Sequence, residues 1–532
     1  MWNSGWRDAL WSSLEDPWDL IIVGGGITGA GILREATRVG MRALLVEAKD
    51  FASGASSRSS KLVHGGFRYL QNAQIKLTWE SVRERERLLK EGRGLINPLG
   101  FLMAGFRDDP LPLWVMGIGL VIYDSLALKW GHRFYDAYDL RELCPPLREE
   151  GLLGGYRYFD AQTDDSRLVL RVLQEAVRGG AAALNYAPVA ALVRKQSGQV
   201  CGVRLIDCSP EGEGREAEVI APLVINATGA WADRLRSEVG GRERMRQLRG
   251  SHLIFPAQRL PLTRAVSLWH PRDGRPVFAI PWEGVTLVGT TDADHTHGMD
   301  REPSISQAEV EYLLEVVQWA FPEQELETTD ILSTFSGVRP VIDTGKPNPS
   351  QESREHVLWN EAGLLTVTGG KLTTFRLMAI DALRATQAGL SKRLPRLHIP
   401  DPSQSVLDPS LEEISFPSEL KPKDRLRLMG RYGAEVVQLI ATASESDWLK
   451  IPGSPYTMAE LRWAARAEGV LHLDDLLLRR TRLGLLLPEG GRLLLSSLRP
   501  IIQAETGWDD RRWDAEKRRY AQIWHSFYSL TG

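Results

Sequence analysis

The chain has 532 residues, 43% of them apolar and 25% charged, with a formal net charge of -3. At roughly 100–200 residues per domain that length holds about two to four domains, and the absence of a basic excess excludes a general nucleic-acid binder. Three cysteines, Cys144, Cys201 and Cys208, stand without a CxxC or Cys/His cluster, which excludes a disulfide framework and a metal site and fits a reducing, cytoplasmic compartment.

The first residues, MWNSGWRDALWSSLEDPWD, carry four tryptophans among charges and lack the apolar core of a secretory signal. Asp19 to Gly26 (DLIIVGGG) reads as a buried strand entering a glycine turn. ITGAGILREATRVG continues as a helix ending at Gly40, and MRALLVE is a second buried strand. This βαβ unit opens a doubly wound sheet. LTWESVRERERLLKEG reads as a helix with Leu77, Val82, Leu88 and Leu89 inward and its Arg/Glu run as a solvated face.

The most apolar run is Leu111 to Gly131. Its uncharged core between Pro112 and Asp124 is shorter than the ~20 residues a spanning helix needs. A buried helix is expected there, with a segment dipping into one leaflet as the alternative. RLVLRVLQEAVRGG is a helix closed by Gly179 and Gly180. APLVINATGAWADRL is a buried strand, a small-residue turn and a helix start. From Gly250 to Asp292 the pattern becomes that of an antiparallel sheet, and LLTVTGGKLTTFRLMAIDAL returns to strand, glycine turn and helix. Beyond Pro402 the sequence is helical in pattern.

The expected architecture is therefore α/β: a Rossmann-like FAD-binding domain, discontinuous over 18–100, 155–245 and 336–400. An antiparallel-sheet substrate domain takes 101–154 and 246–335, and an α-helical domain takes 402–532.

Three motifs, the GxGxxG turn with its acid, NATGAW and TGGKLTTF, point to a dinucleotide, together with a serine-rich loop. Gly24-x-Gly26-x-x-Gly29 follows a strand and opens a helix, so a pyrophosphate can approach the backbone at the helix N-terminus. Glu47 ends the second strand, where an acid bonds ribose hydroxyls; this favours NAD or FAD over NADP. ASGASSRSSK, Ala52 to Lys61, supplies small and hydroxyl residues able to wrap a flavin dinucleotide, the alternative being an exposed loop. NATGAW brings Ala227, Thr228 and Gly229 against a nucleotide. TGGKLTTF brings Gly370, Lys371, Leu372 and Thr373 to a helix start, where a helix N-terminus and a lysine would stabilise the negative charge of a reduced flavin.

These segments, with SSRSSKLVHGGFRYL, TDDSRLVL, GSHLIFP, AIPW, GTTD, SGVRP, GGKLTTFR and LLRRTRLGLL, occur in the order that resembles the FAD-dependent glycerol-3-phosphate dehydrogenases. The resemblance runs from about Asp19 into the C-terminal region. It implies oxidation of sn-glycerol 3-phosphate at C2 to dihydroxyacetone phosphate. It further implies hydride transfer to FAD, electrons passed to a quinone, and a cytoplasmic protein peripheral on the inner face of the membrane, with a homodimer as one possible assembly. Under this reading the cofactor is held by Gly24, Gly26, Ile27, Thr28, Gly29, Glu47, Ser56, Ser57, Ser59, Ser60, Lys61, His64, Gly65, Gly66, Ala227, Thr228, Gly229 and Gly370 to Thr373.

The substrate needs a base for its C2 hydroxyl and cations for its phosphate. Histidine suits the first; His64 leads and His252 competes. Arginine suits the second, with Arg339 first, Arg68 and Tyr69 beside His64 next, then Arg354, and Lys371 at the flavin edge. The rival readings are an oxidase using oxygen, another FAD-dependent hydroxy-acid or amine oxidoreductase, and a non-catalytic flavin-binding surface protein. The last has no use for the set His64, Arg68 and Arg339.

Overall fold

A computed structural model describes residues 2–67, 74–212, 214–346, 352, 355–390, 400–409 and 414–530. Arg68, Tyr69 and Arg354 lie outside the described residues.

Leu20–Val23 and Ala43–Val46 are four-residue runs buried at every position. Only a strand covered on both faces tolerates that, so they sit side by side in the centre of a parallel sheet. Six strands run in the order His356–Glu361, Leu364–Gly369, Leu223–Asn226, Leu20–Val23, Ala43–Val46, Ala182–Leu184; all pairs are parallel except the first. The period-two alternation divides the core. Leu20, Ile22, Ala43 and Leu45 pack with the helices Ile27–Arg38, Asp165–Arg178 and Phe375–Leu390. Ile21, Val23, Leu44 and Val46 pack with a three-stranded antiparallel sheet through Leu192, Val203 and Val219.

The tryptophan-rich beginning of the chain closes this layer. The Trp2 indole donates to the Ala183 carbonyl at 3.1 Å and its ring lies 5.0 Å from Phe51, while Trp11 and Trp18 enter the core beside Ile21.

A second, ten-stranded sheet is mostly antiparallel. Met245–Pro256 pairs with Ser333–Ile342 over ten residues. One face of the sheet takes Leu102, Ala104 and Val266 under the helix Gln307–Ala320; the other takes Phe101, Met103 and Tyr158 toward the C-terminal helices.

Three sequence expectations need correction. Leu152–Gln162, divided at residue 155 between two domains, is one continuous strand of this second sheet, paired along Asn97–Phe106. In the helix Ile75–Glu91 the Arg/Glu run is not all solvated. Glu84 and Arg85 are buried because each meets an opposite charge from a distant segment: Arg376 at 2.6 Å and Asp160 at 2.8 Å. The helix Leu113–Ala127 is not a buried helix. Met116, Leu120 and Tyr123 face inward, but Trp114 is 66% exposed, Ile118 53% and Ile122 45%. The sequence has no polar outer face for this helix, so its outer apolar residues lie at the surface.

The C-terminal helices, among them Pro422–Tyr432, Met458–Ala467 and Asp510–Phe527, are joined to the rest by buried charges. Arg480 pairs with Asp50, Arg482 with Asp164 and Asp165, and Arg167 with Glu468.

Candidate active site

A cavity of about 1380 Å³ lies where the two sheets meet. At one end are the strand ends of the parallel sheet. Gly24 has φ +115, and a Cβ there would stand 2.6 Å from the Ala227 carbonyl oxygen; a Cβ on Gly29 would stand 1.9 Å from the Gly24 oxygen. The glycines thus let two strand ends and a helix start crowd into one turn, leaving backbone facing the cavity. Glu47 accepts the Gly25 N–H at 2.6 Å and the Lys49 N–H at 2.9 Å. Burial pushes its pKa up against these two donors. Asn226 fixes the neighbouring turn by accepting from the Thr228 N–H and hydroxyl at 3.2 and 2.7 Å.

The serine-rich loop crosses the middle. Ser56 accepts the Ile27 N–H at the helix start (2.9 Å), Ser59 donates to Asp165 (2.7 Å), and Ser60 shares a 2.9 Å hydrogen bond with His252 Nε2. Ser56, Ser59 and Ser60 line the cavity, as do Gly24, Gly26, Ile27, Thr28, Glu47, Gly66, Ala227, Thr228, Gly229 and Gly370 to Thr373. Gly29, Ser57, Lys61 and Gly65 do not; they form its support. Lys61 turns away: its ammonium is fully buried, 2.9 Å from Asp165 and 2.8 Å from the Ser57 carbonyl. Burial lowers its pKa to about 8 against the pull of Asp165. A hydroxyl-rich stretch does not reveal that its one lysine serves a partner a hundred residues on.

The other end gathers the chemistry. His64 lies in the wall, half-buried, and its carbonyl accepts the Thr373 hydroxyl at 3.2 Å. Burial, reinforced by Lys371 and Arg85 and opposed by Asp160, lowers its pKa to about 4. His252 is fully buried, stacked 4.5 Å from Phe335, and burial beside Lys61 and Arg339 holds it well below the ordinary histidine range. Arg339, on the strand Ser333–Ile342, bonds Asp292 at 3.0 Å and the Thr290 hydroxyl at 2.8 Å while remaining on the cavity wall with 27% of its side chain exposed. Lys371 reaches Ser81 at 3.1 Å.

Three wall residues escaped the sequence reading. Arg275 shares Asp292 with Arg339, at 3.4 Å. Arg58 bonds Tyr528, from the end of the chain, at 3.1 Å. Asp160 sits in the apolar stretch YFDA; an acid inside a buried strand is a signal that a partner waits, and that signal was there to read.

A glycine cradle at a helix N-terminus, an acid at the second strand end and a deep cavity leading to two imidazoles fit a flavin dinucleotide. Residues 19–376 match the model of the FAD dependent oxidoreductase family, and residues 385–513 match the C-terminal domain of alpha-glycerophosphate oxidase. Fold and site thus define an FAD-dependent oxidoreductase. The aerobic glycerol-3-phosphate dehydrogenase of Staphylococcus haemolyticus is 33% identical over 507 residues, covering 89% of this chain and 88% of the relative; that of Staphylococcus aureus is 34% identical over 489 residues, covering 88% and 87%. The glycerol-3-phosphate dehydrogenase of Bacillus halodurans, solved with FAD, superposes with TM-score 0.76 at 26% identity, over 99% of this chain and 98% of that one. The chain belongs to the FAD-dependent glycerol-3-phosphate dehydrogenase family. The L-alpha-glycerophosphate oxidase of Mycoplasma pneumoniae shares the fold (TM-score 0.56, 18% identity, 69% of this chain and 94% of that one).

Proposed function

We propose that the protein oxidises sn-glycerol 3-phosphate to dihydroxyacetone phosphate and passes the electrons to a quinone. The carrying observation is convergence: His64, Arg339 and Lys371, from three distant segments, line the cavity that begins at the glycine cradle. FAD, when bound, supplies the hydride acceptor. His64 receives the C2 hydroxyl proton. Its lowered pKa keeps the imidazole neutral at working pH, the form a base requires. His252 is the less suited of the two, since its Nε2 is engaged by Ser60. Arg339, oriented by Asp292, presents its guanidinium to the substrate phosphate. Arg68, Tyr69 and Arg354 are assigned to the same phosphate-binding set from the sequence.

The quinone reading is supported by the helix Leu113–Ala127. The exposed Ile118 and Ile122 also line the cavity, with Val115, and Trp114 and Val121 extend the apolar outer face of the helix. No helix among the described residues is long and apolar enough to cross a membrane, so a membrane surface would be met by such a face. Turnover with glycerol 3-phosphate is to be followed with a soluble quinone and, separately, with oxygen. Quinone reduction without stoichiometric peroxide is expected; peroxide at the rate of substrate loss would make the protein an oxidase. Flotation with liposomes tests attachment, and a protein that stays at the bottom of the gradient contradicts it.

A further inference from the structure

Behind His64 stands a buried polar group that the reaction as described leaves unused. Asp160 is only 4% exposed. Its Oδ1 accepts the Gly65 N–H at 3.1 Å and Arg85 Nη1 at 2.8 Å. The Tyr123 hydroxyl lies 3.2 and 3.1 Å from the two carboxylate oxygens and accepts from Arg85 Nη1 at 2.8 Å. Arg85 and Tyr123 come from the helices Ile75–Glu91 and Leu113–Ala127, Asp160 from the strand Leu152–Gln162, so three elements meet at one amide.

The approach is close by construction. A Cβ on Gly65 would stand 2.3 Å from the Tyr123 oxygen and 2.5 Å from Val82 Cγ2, so only glycine brings this amide to the carboxylate. Two residues on, the Phe67 ring lies 5.8 Å from Tyr123 and 6.1 Å from Tyr158, which pins the other end of the strip. A buried ion pair by itself would be unremarkable structure. This one holds the peptide next to the proposed base.

We propose that Asp160, fixed by Arg85 and Tyr123, is a positioning residue: it sets the His64 imidazole through the Gly65 amide, and its carboxylate stabilises the imidazolium formed when His64 accepts the substrate hydroxyl proton. The proposal rests on His64 being the base. In that step the substrate O–H bond breaks, an imidazole N–H forms and one positive charge appears on the ring. Among the described residues, the charged groups acting on the ring are Asp160, Lys371 and Arg85, with the Tyr123 hydroxyl on the clamp itself. Among the charges acting on the ring, Asp160 favours the new charge and Lys371 and Arg85 oppose it. Without Asp160, both oppositions would stand alone.

The test uses the FAD-loaded protein labelled with 13C-histidine, the His64 resonance being identified by its loss in His64→Ala. Asp160→Asn is expected to lower the His64 titration midpoint by about one pH unit or more. Tyr123→Phe keeps the ring and removes the hydroxyl. It is expected to shift the His64 resonance and to slow flavin reduction about tenfold, with substrate Kd unchanged. It also keeps the idea testable if Asp160→Asn does not fold. An unmoved His64 resonance and a wild-type reduction rate in Tyr123→Phe overturn the proposal. So does a loss confined to FAD occupancy or melting temperature. If Tyr123→Phe is silent while His64→Ala is slow, positioning alone falls; if His64→Ala reduces flavin at the wild-type rate, the base assignment falls and takes the positioning role with it.

Discussion

Gly29→Ala adds one methyl at the tightest point of the cofactor cradle. The new Cβ would lie 1.9 Å from the Gly24 carbonyl oxygen, 3.1 Å from its carbon and 3.3 Å from Leu45 Cδ1. A tolerable carbon–oxygen contact needs roughly 3.3 Å, so the helix Ile27–Arg38 must retreat from the turn by about 1.4 Å. The opposing atom is backbone in a central strand-end turn, so the helix has to yield. Overpacking of this kind costs about 1–3 kcal/mol, and the retreat carries the helix N-terminus away from the pyrophosphate it would face. Expressed in FAD binding, that is a loss of roughly 10- to 100-fold. Titrating the FAD-stripped protein with FAD, followed by quenching of flavin fluorescence, measures it. Gly298→Ala is the matched control, because a Cβ there meets nothing within 4 Å. An affinity for FAD within twofold of wild type in Gly29→Ala would refute the cradle as described.

Further outcomes follow from the same geometry. Because burial lowers the His64 pKa from 6.5 to about 4, the base stays deprotonated as pH falls. Flavin reduction by substrate should therefore hold nearly constant from about pH 7 to about pH 5, and an acid limb near 6.5 in stopped-flow traces would contradict the assignment. His64→Ala should slow that reduction at least about 100-fold with FAD still bound, as the visible spectrum will report. Arg339→Ala should weaken glycerol 3-phosphate binding by about 100-fold, through the loss of charge-assisted hydrogen bonds to the phosphate, while leaving FAD affinity unchanged; equilibrium titration of the flavin spectrum checks both. Arg167→Met should destabilise the protein by about 3–5 kcal/mol, since it removes the ion-pair partner of the fully buried Glu468 where the C-terminal helices meet the helix Asp165–Arg178. A melting temperature unchanged at a fixed scan rate would show that the interface does not depend on this pair.

The parts of the molecule governed by short-range rules were legible in the sequence. Leu20–Val23 reads as a buried strand because no polar residue interrupts it, and Gly24 and Gly29 mark the turn because a Cβ at either would strike backbone. What the sequence hid depends on partners far along the chain. Arg85 looks like one more charge on a solvated helix until Asp160 and Tyr123 arrive. Lys61 looks like one more cofactor contact until Asp165 claims it. The surface position of the helix Leu113–Ala127 was equally hidden: apolar composition states that a segment avoids water, and leaves open what covers it. The candidate site lay between these cases. His64, His252, Arg339 and Lys371 could be named from their motifs and Asp160 from its place in an apolar strand, whereas Arg275 joins them only through the second sheet.

The most direct measurement is anaerobic mixing of the oxidised, FAD-loaded protein with sn-glycerol 3-phosphate, set beside glycerol, which lacks the phosphate. Glycerol 3-phosphate is expected to bleach the flavin absorbance in a saturable phase, with one dihydroxyacetone phosphate formed per flavin, and glycerol at the same concentration is not. A flavin that stays oxidised with glycerol 3-phosphate, or that bleaches equally well with glycerol, would contradict the account.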